Sequence, residues 1–365
     1  MKTSIILAAS LAALVMAGAA RADDTPADIN MKGMAALDNK DYATAVKYFQ
    51  QAADGGDASG ENNLAILYWR GQGVTQDYAQ ALYWYKKAAA QGNAGAQADI
   101  GYMYANGLGV PVDMAQAASW YQQAADNGNM IAQYNLGVMY DNGNGVPQDY
   151  AKAFALYQKS ADQGDTAAED SVGLYYENGI VVTQDYAQAA YWFKKAADAG
   201  DADGQNYLGQ LYEGGYGVTQ DYAQAAELYQ KAADQGNASA QSALGYLYES
   251  GEGVTEDYAK AAEWNQKAAD QGDATGEANL GFLYMLGDGV TEDDVQAAVW
   301  FQKAADQGNA TGEFGLGVLY ETGKGVTEDD AKGQELIQKA ADAGNPDAKS
   351  WLAGTFGDSS SSSSQ

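Results

Sequence analysis

Carboxylates, Ser and Lys are the side chains of this chain that remain for catalytic chemistry, and one Asp recurs every 36 residues. The 365-residue sequence contains 49 Asp and Glu residues but no Cys and no His. Thiolate nucleophiles, Cys-ligated metals and imidazole bases are therefore excluded, whereas carboxylate pairs or a Ser nucleophile remain available for hydrolysis. A hydrolase acting on cell-wall or β-lactam substrates is thus the alternative to a non-enzymatic protein. The recurring residues are Asp77, Asp113, Asp149, Asp185, Asp221, Asp257, Asp293 and Asp329.

These recurring Asp residues are interpreted as helix N-caps rather than as catalytic groups. Asp257, for example, directly precedes a segment in which Tyr258, Ala261 and Trp264 follow helical spacing. An Asp in this position accepts hydrogen bonds from the free backbone N–H groups of the first turn. The acidic cluster at 288–294 lacks the spacing and the distal Glu of an EF-hand calcium loop. We predict no catalytic residue, no metal site and no cofactor.

The segments that carry the caps form a single repeat of 36 residues. Tyr recurs at this period from Tyr68 to Tyr320, and no insertion interrupts the series. Within the unit 237–272, a first apolar-periodic segment ends near Tyr248, a Gly-x-Gly-Val loop follows, and a second such segment begins after Asp257. A strict period of this length is typical of solenoids built from helix pairs.

The repeat resembles the Sel-one-like repeat, a subfamily of the tetratricopeptide-like helical repeats. One unit has Leu-Gly at 136–137, Tyr140, Gly-x-Gly-Val at 143–146 and Asp-Tyr at 149–150. The resemblance covers about residues 30–355 and implies an all-α fold, an α/α solenoid of stacked antiparallel helix pairs that forms a right-handed superhelix with a concave groove. Members of the family are mostly adaptors or scaffolds that bind proteins or peptides. A disulfide-rich branch is associated with penicillin binding, but this chain has none of its cysteines.

The ends of the chain depart from the repeat. The first 22 residues have a short positive start, an apolar run too short to span a bilayer comfortably and an Ala-Arg-Ala cleavage site, which indicate a secretory signal peptide. We therefore expect a periplasmic or extracellular protein without a stable membrane anchor. The expected division is a signal peptide at 1–22, N-terminal tetratricopeptide-like capping helices at 23–56, eight repeats at 57–344, a C-terminal capping helix at 345–356 and a Ser-rich tail at 357–365.

One repeat is irregular in its loop. Val181 stands where the sibling repeats have the second Gly of the Gly-x-Gly-Val loop. A β-branched residue is unfavourable at positive φ. The sequence therefore predicts a locally different loop at 179–182.

Positions that vary between repeats are the candidates for partner binding. Two such positions, five and two residues before the repeat Tyr, lie three residues apart on one side of the first helix. We call their residues the first-helix face, and in stacked helix pairs the first helices line the concave wall. Asn amides there could hold a peptide backbone and aromatic rings could anchor it, although several apolar members could instead pack inside. The candidates are Asn63, Ile66, Asp99, Tyr102, Asn135, Val138, Tyr207, Gln210, Tyr246, Asn279 and Phe282.

The charge of the chain restricts its partners. With 20 Lys and Arg against 49 Asp and Glu, the formal net charge is −29. Nucleic acids and anionic membranes attract basic surfaces, so neither is an expected partner. We expect a monomer that binds a basic or neutral protein or peptide.

Overall fold

The computed structural model describes residues 24–354, and all of their regular structure is helical. The predicted signal peptide and the Ser-rich tail lie outside the described residues. The described helices are α1 (Pro26–Asp38), α2 (Tyr42–Asp54), α3 (Ala58–Arg70), α4 (Tyr78–Ala90), α5 (Ala94–Asn106), α6 (Met114–Asp126), α7 (Met130–Asn142), α8 (Tyr150–Ala161), α9 (Thr166–Asn178), α10 (Tyr186–Asp198), α11 (Ala202–Gly214), α12 (Tyr222–Asp234), α13 (Ala238–Ser250), α14 (Tyr258–Asp270), α15 (Ala274–Leu286), α16 (Asp294–Asp306), α17 (Ala310–Thr322), α18 (Asp330–Asp342) and α19 (Pro346–Leu352).

The helices pack as consecutive pairs, one pair for each repeat, as the all-α prediction requires. The first helices of neighbouring repeats also contact one another, as α5 contacts α7 and α13 contacts α15. The chain divides into two compact units, one ending at Val172 and the other beginning at Gly173. No helix of residues 24–354 is both long and apolar enough to cross a membrane.

The caps predicted from the sequence begin and end the helices. The side chain of Asp257 accepts from the N–H of Lys260 at 3.1 Å, and that of Asn237 accepts from the N–H of Ala240 at 2.8 Å. Gly251 ends α13 in the left-handed conformation at φ 72°. The capping role of the recurring Asp is therefore confirmed.

The loop inside each repeat is closed by one backbone hydrogen bond that joins its two ends. The N–H of Asp257 donates to the carbonyl of Tyr248 at 2.8 Å, and the equivalent bonds recur along the chain. The constant spacing between the repeat Tyr and the capping Asp thus serves the loop as well as the helix. It fixes where the second helix starts relative to the end of the first.

The loop at 179–182 keeps the conformation of its siblings, so the prediction of a different loop is wrong. Val181 adopts φ 54°, in the same left-handed region as the sibling Gly217 at φ 67°. The closing bond is also retained, because the N–H of Asp185 donates to the carbonyl of Tyr176 at 2.9 Å. Placing a residue with a Cβ in the left-handed region costs about 1–2 kcal/mol. The hydrogen bonds and caps around the loop outweigh this strain.

The Leu-Gly pair of the repeat has a packing explanation. A Cβ added to Gly209 on α11 would lie 2.7 Å from Cε1 of Tyr229 on α12, and Tyr229 is fully buried. Glycine is needed because the ring lies directly against the backbone of the first helix. The paired Ala residues late in the second helices are buried for the related reason that the next repeat packs on them closely, as at Ala268 against Gly276.

A ladder of side-chain amides links the repeats, and the sequence did not predict it. Buried Gln241 donates to the carbonyl of Ala233 in the preceding repeat at 3.1 Å, and its own Oε1 accepts from Gln271 at 2.8 Å. Each rung joins residues 30 apart in sequence. The same rung forms at Gln97 with Asn127 and at Gln205 with Gln235. It satisfies polar groups that burial would otherwise leave unpaired.

Candidate functional site

The first-helix face is partly open to solvent. Tyr102 is 44% exposed and Tyr246 is 47% exposed, and Gln210 is exposed as well. The other candidates are half-buried, and they are Asn63, Ile66, Asp99, Asn135, Val138, Tyr207, Asn279 and Phe282. The face is thus neither a continuous exposed surface nor part of the core.

Two of the aromatic candidates pack against second helices. The ring of Tyr207 lies 5.0 Å from that of Phe193, and the ring of Phe282 meets Phe301 edge-on at 4.8 Å. Ile66 packs against the core of the first unit. These side chains therefore contribute to stability in addition to any contact with a partner.

The Asn amides of the face already have partners within the chain. Asn63 donates to Oδ1 of Asn30 at 2.9 Å, and the amide of Asn135 donates to the hydroxyl of Tyr121. The side-chain amide nitrogen of Asn279 donates to Oδ1 of Asn265 at 3.4 Å. A peptide backbone would therefore meet amides whose positions are set by neighbouring helices, with only their remaining donor or acceptor capacity available.

A recess of about 440 Å³ opens on this face in the first unit, between α3, α5 and α7. Its aromatic side is formed by Trp69 and Tyr102, whose ring centroids are 5.5 Å apart with planes tilted by 32°. Ile66 and Ile131 add apolar surface, and Ile131 is 59% exposed at the rim. We call this feature the Trp69–Asp99 recess.

Asp99 supplies the carboxylate of the recess. Burial raises the pKa of Asp99 to about 6, although a hydrogen bond from the hydroxyl of Tyr85 and the charge of Arg70 both act to lower it. Tyr85 lies on α4 and is 1% exposed, and its own pKa is raised by burial and by Asp99. The carboxylate is thus fixed from behind by a buried hydroxyl and faces the recess with its remaining acceptor capacity.

Sequence reasoning named Ile66, Asp99, Tyr102 and Asn135 in the recess but missed other lining residues, Asn62 and Trp69 among them. A signal for Trp69 was present. At its position the other repeats have Ala105, Asp141, Glu177, Glu213, Glu249, Met285 and Glu321, so Trp69 is the one aromatic residue in the series. The buried partner Tyr85 gave no such signal, because aromatic rings are usual at its position.

In the second unit, Tyr246 lies among carboxylates. Burial raises its pKa, and the negative charges of Glu252, Glu213 and Glu249 raise it further. Burial also raises the pKa of Glu249 itself, and Asp288 adds to this effect. An exposed aromatic ring next to acidic groups therefore occurs in each unit.

Within residues 24–354, no group of three or more Asp and Glu side chains is arranged to hold a metal ion. Asp99 is the one carboxylate among the residues lining the recess. Asp99 can therefore attract a positive charge to the recess, and the rings of Trp69 and Tyr102 can pack against an apolar or planar group.

Nine segments of the chain match the profile of the Sel1 repeat. They are residues 36–57, 58–93, 94–129, 131–165, 166–201, 202–237, 238–273, 274–309 and 310–345. Together with the helix pairs and the 36-residue period, this match shows that the chain belongs to the Sel1 repeat family. The resemblance inferred from the sequence is confirmed, and the profile adds a short first match that begins in the predicted N-terminal cap and ends at residue 57.

Solved structures of bacterial Sel1 repeat proteins are similar to this chain. One is c5321, a protective antigen present in uropathogenic Escherichia coli strains, with 36% identity over 92% of this chain and 72% of that chain and a TM-score of 0.82. A second, from Oxalobacter formigenes, has 32% identity over 92% of this chain and 94% of that chain and a TM-score of 0.60. A search of the curated proteins found no match.

Proposed function

We propose that this protein is a non-enzymatic adaptor that binds a basic or neutral protein or peptide on its first-helix face in the bacterial cell envelope. The observation that carries the proposal is the exposure of Tyr102 and Tyr246 on first helices, at positions that vary between repeats. Aromatic anchors of this kind supply much of the binding energy of protein interfaces. Carboxylates near both rings favour a basic partner.

The envelope location rests on the predicted signal peptide. It is also supported by the description of the Escherichia coli relative as a protective antigen. The repeat scaffold favours a binding role, because nearly every recurring position serves a cap, a loop or the core. We propose that the chain acts as a monomer and needs no cofactor.

The test is capture of partners from a bacterial envelope extract by the purified full chain. We expect Tyr102→Ala/Tyr246→Ala to lose the captured proteins, and Phe282→Ala added to this pair to lose them as well. The matched control is Tyr83→Ala/Tyr191→Ala, which removes two rings of 50% and 56% exposure from the second helices α4 and α10.

Melting curves of all variants establish that they remain folded. Unchanged capture by the Tyr102/Tyr246 variant would contradict binding on the first-helix face. Hydrolysis of a β-lactam or of peptidoglycan by the purified protein would overturn the non-enzymatic assignment in favour of the alternative hydrolase.

A further inference from the structure

The Trp69–Asp99 recess combines three chemical features at one place in the first unit. It has an aromatic side made of Trp69 and Tyr102, a carboxylate from Asp99 and a polar oxygen from Asn62. All of these residues come from α3 and α5, while α7 contributes the rim at Ile131. The volume of about 440 Å³ is large enough for a long side chain and part of its backbone.

Two acceptor groups of the recess, on Asn62 and Asp99, have hydrogen-bonding capacity that no donor of the protein fills. Oδ1 of Asn62 is buried and has no hydrogen-bond partner. Asp99 accepts one bond from the hydroxyl of Tyr85, and an ionised carboxylate can accept several more. An unpaired buried acceptor is costly, so an occupant that donates N–H groups here would recover that cost.

The aromatic side of the recess favours a positive charge. A cation placed over a Trp or Tyr ring is attracted by its electron-rich face, and the interaction energy is larger where water is partly excluded. Tyr102 is 44% exposed, so its ring is accessible from solvent. Arg70, which is exposed, is the positive charge whose field reaches Asp99 in the free protein. Arg70 therefore compensates part of the negative charge of Asp99, and a bound cation would compensate more of it.

The combination is specific to this place in the repeat series. The positions equivalent to Asp99 hold Asn63, Asn135, Ser171, Tyr207, Ala243, Asn279 and Gly315. No sibling position has a carboxylate, and the sibling positions of Trp69 have no aromatic ring. The helical scaffold forms in the other repeats without either residue, so the fold does not require the pair.

We propose that the Trp69–Asp99 recess binds the Lys or Arg side chain of a polypeptide partner. The proposal deepens the adaptor function and rests on it. The cationic head pairs with Asp99 and donates to Asn62, the aliphatic or planar part lies against Trp69 and Tyr102, and the flanking backbone passes over the rim at Ile131. The net charge of −29 attracts such a partner from a distance.

The first arm of the test titrates the full chain with small probes. N-acetyl-arginine amide and N-acetyl-lysine amide are the cations, and N-acetyl-citrulline amide is the neutral analogue of the first. The indole N–H resonance of Trp69, assigned with Trp69→Phe, reports binding. We expect saturable shifts with the cations and at least about tenfold weaker binding of the citrulline compound. Equal binding of the neutral compound would overturn the proposal.

The second arm uses Asp99→Asn, which introduces the residue that the sibling repeats have at positions 63, 135 and 279. We expect about tenfold weaker binding of N-acetyl-arginine amide. The melting temperature should be no lower than that of the parent, because Asn removes a charge that burial disfavours and still accepts from Tyr85. The matched control is Asp203→Asn, which removes one exposed charge on α11 in the other unit and leaves binding unchanged. Binding that survives Asp99→Asn would overturn the role of the carboxylate.

The third arm separates a polypeptide from a small free cation. A capped Ala-Ala-Arg-Ala-Ala peptide should bind severalfold more tightly than N-acetyl-arginine amide, because its backbone reaches the rim. Equal affinities would overturn the assignment to a polypeptide. If the probes fail while Tyr102→Ala/Tyr246→Ala still abolishes capture from extract, the recess proposal fails and the adaptor function stands.

Discussion

The side-chain amide of Gln307 donates a 2.8 Å hydrogen bond to Oε2 of Glu277, 30 residues earlier in the chain. Glu277 is 4% exposed, and burial raises its pKa. In the sibling repeat, Gln241 occupies this position and also donates to the carbonyl of Ala233. A carboxylate cannot donate that second bond, so Glu277 is a weaker rung of the ladder between repeats.

Glu277→Gln should stabilise the protein at neutral pH by about 1 kcal/mol, the usual net value of one intramolecular hydrogen bond. The variant gains a donor for the carbonyl of Ala269 and removes a buried charge. Because the pKa of Glu277 is raised on folding, the parent is most stable below the unfolded pKa and loses stability as pH rises through the folded pKa. The advantage of Gln should therefore shrink in acid. Denaturant unfolding of both proteins at pH 7 and pH 4 checks this.

The reverse exchange, Gln241→Glu, is the control for that experiment. This variant should be less stable than the parent at pH 7, since it places a carboxylate in an equivalent buried rung. In acid its free energy of unfolding should approach that of the parent. A difference between Glu277→Gln and parent that does not change with pH would contradict the role assigned to the buried carboxyl.

The ladder also shows what the sequence could and could not reveal. The caps at Asn237 and Asp257 were predictable because a cap bonds to an N–H three residues away. The partner of Gln241 lies 30 residues away, and its identity depends on how helices pack. A polar residue at a fixed position looks like solvent-exposed surface until its burial is known.

The same limit applies to the candidate site. Comparison between repeats found Asp99 and Tyr102, because positions that vary can be recognised from one sequence. It could not find the bond from Tyr85 to Asp99, since Tyr85 resembles an ordinary core residue. It also could not decide whether Tyr207 faces solvent or Phe193, which depends on the rotation of the first helix.

Val181→Gly should stabilise the protein by about 1 kcal/mol. Val181 is held at φ 54°, where a side chain with a Cβ is strained by about 1–2 kcal/mol, and the greater freedom of Gly in the unfolded chain offsets part of the gain. The measurement is the shift of the unfolding midpoint in denaturant. A loss of stability would mean that contacts of the Val side chain outweigh the strain.

Gly217→Val, in a sibling loop, gives the matched opposite change. A Cβ at Gly217 would lie 2.3 Å from the backbone carbon of Tyr186, so this variant combines strain with a clash. We expect a loss greater than the gain from Val181→Gly.

Asp257→Ala should cost about 1 kcal/mol, because the cap of α14 loses the acceptor for the N–H of Lys260. Asp257→Asn keeps an acceptor and should retain most of the stability. Thermal melting of the pair distinguishes a cap from a residue kept for its charge. If Asn were as harmful as Ala, the capping interpretation would not account for the recurring Asp.

Binding of N-acetyl-arginine amide in the Trp69–Asp99 recess should depend on pH through Asp99. With the pKa of Asp99 at about 6, its charge is largely present at pH 7 and largely lost at pH 5. Tyr85, Tyr121 and Arg70 are the other groups whose charge or hydrogen bonds reach Asp99. Burial raises the pKa of both Tyr85 and Tyr121, so neither ionises between pH 5 and pH 7. A guanidinium group is not deprotonated in proteins.

The affinity of the recess for this cation should therefore fall by about fivefold between pH 7 and pH 5. A group with a pKa near 6 is about a tenth ionised at pH 5, and the neutral form keeps about a tenth of the affinity, as expected for Asp99→Asn. Asp99→Asn should bind weakly with no such slope. Titrations followed by the Trp69 indole resonance at several pH values give both curves. The same slope in the Asn variant would place the titrating group elsewhere, and a flat curve for the parent would show that Asp99 does not hold the cation.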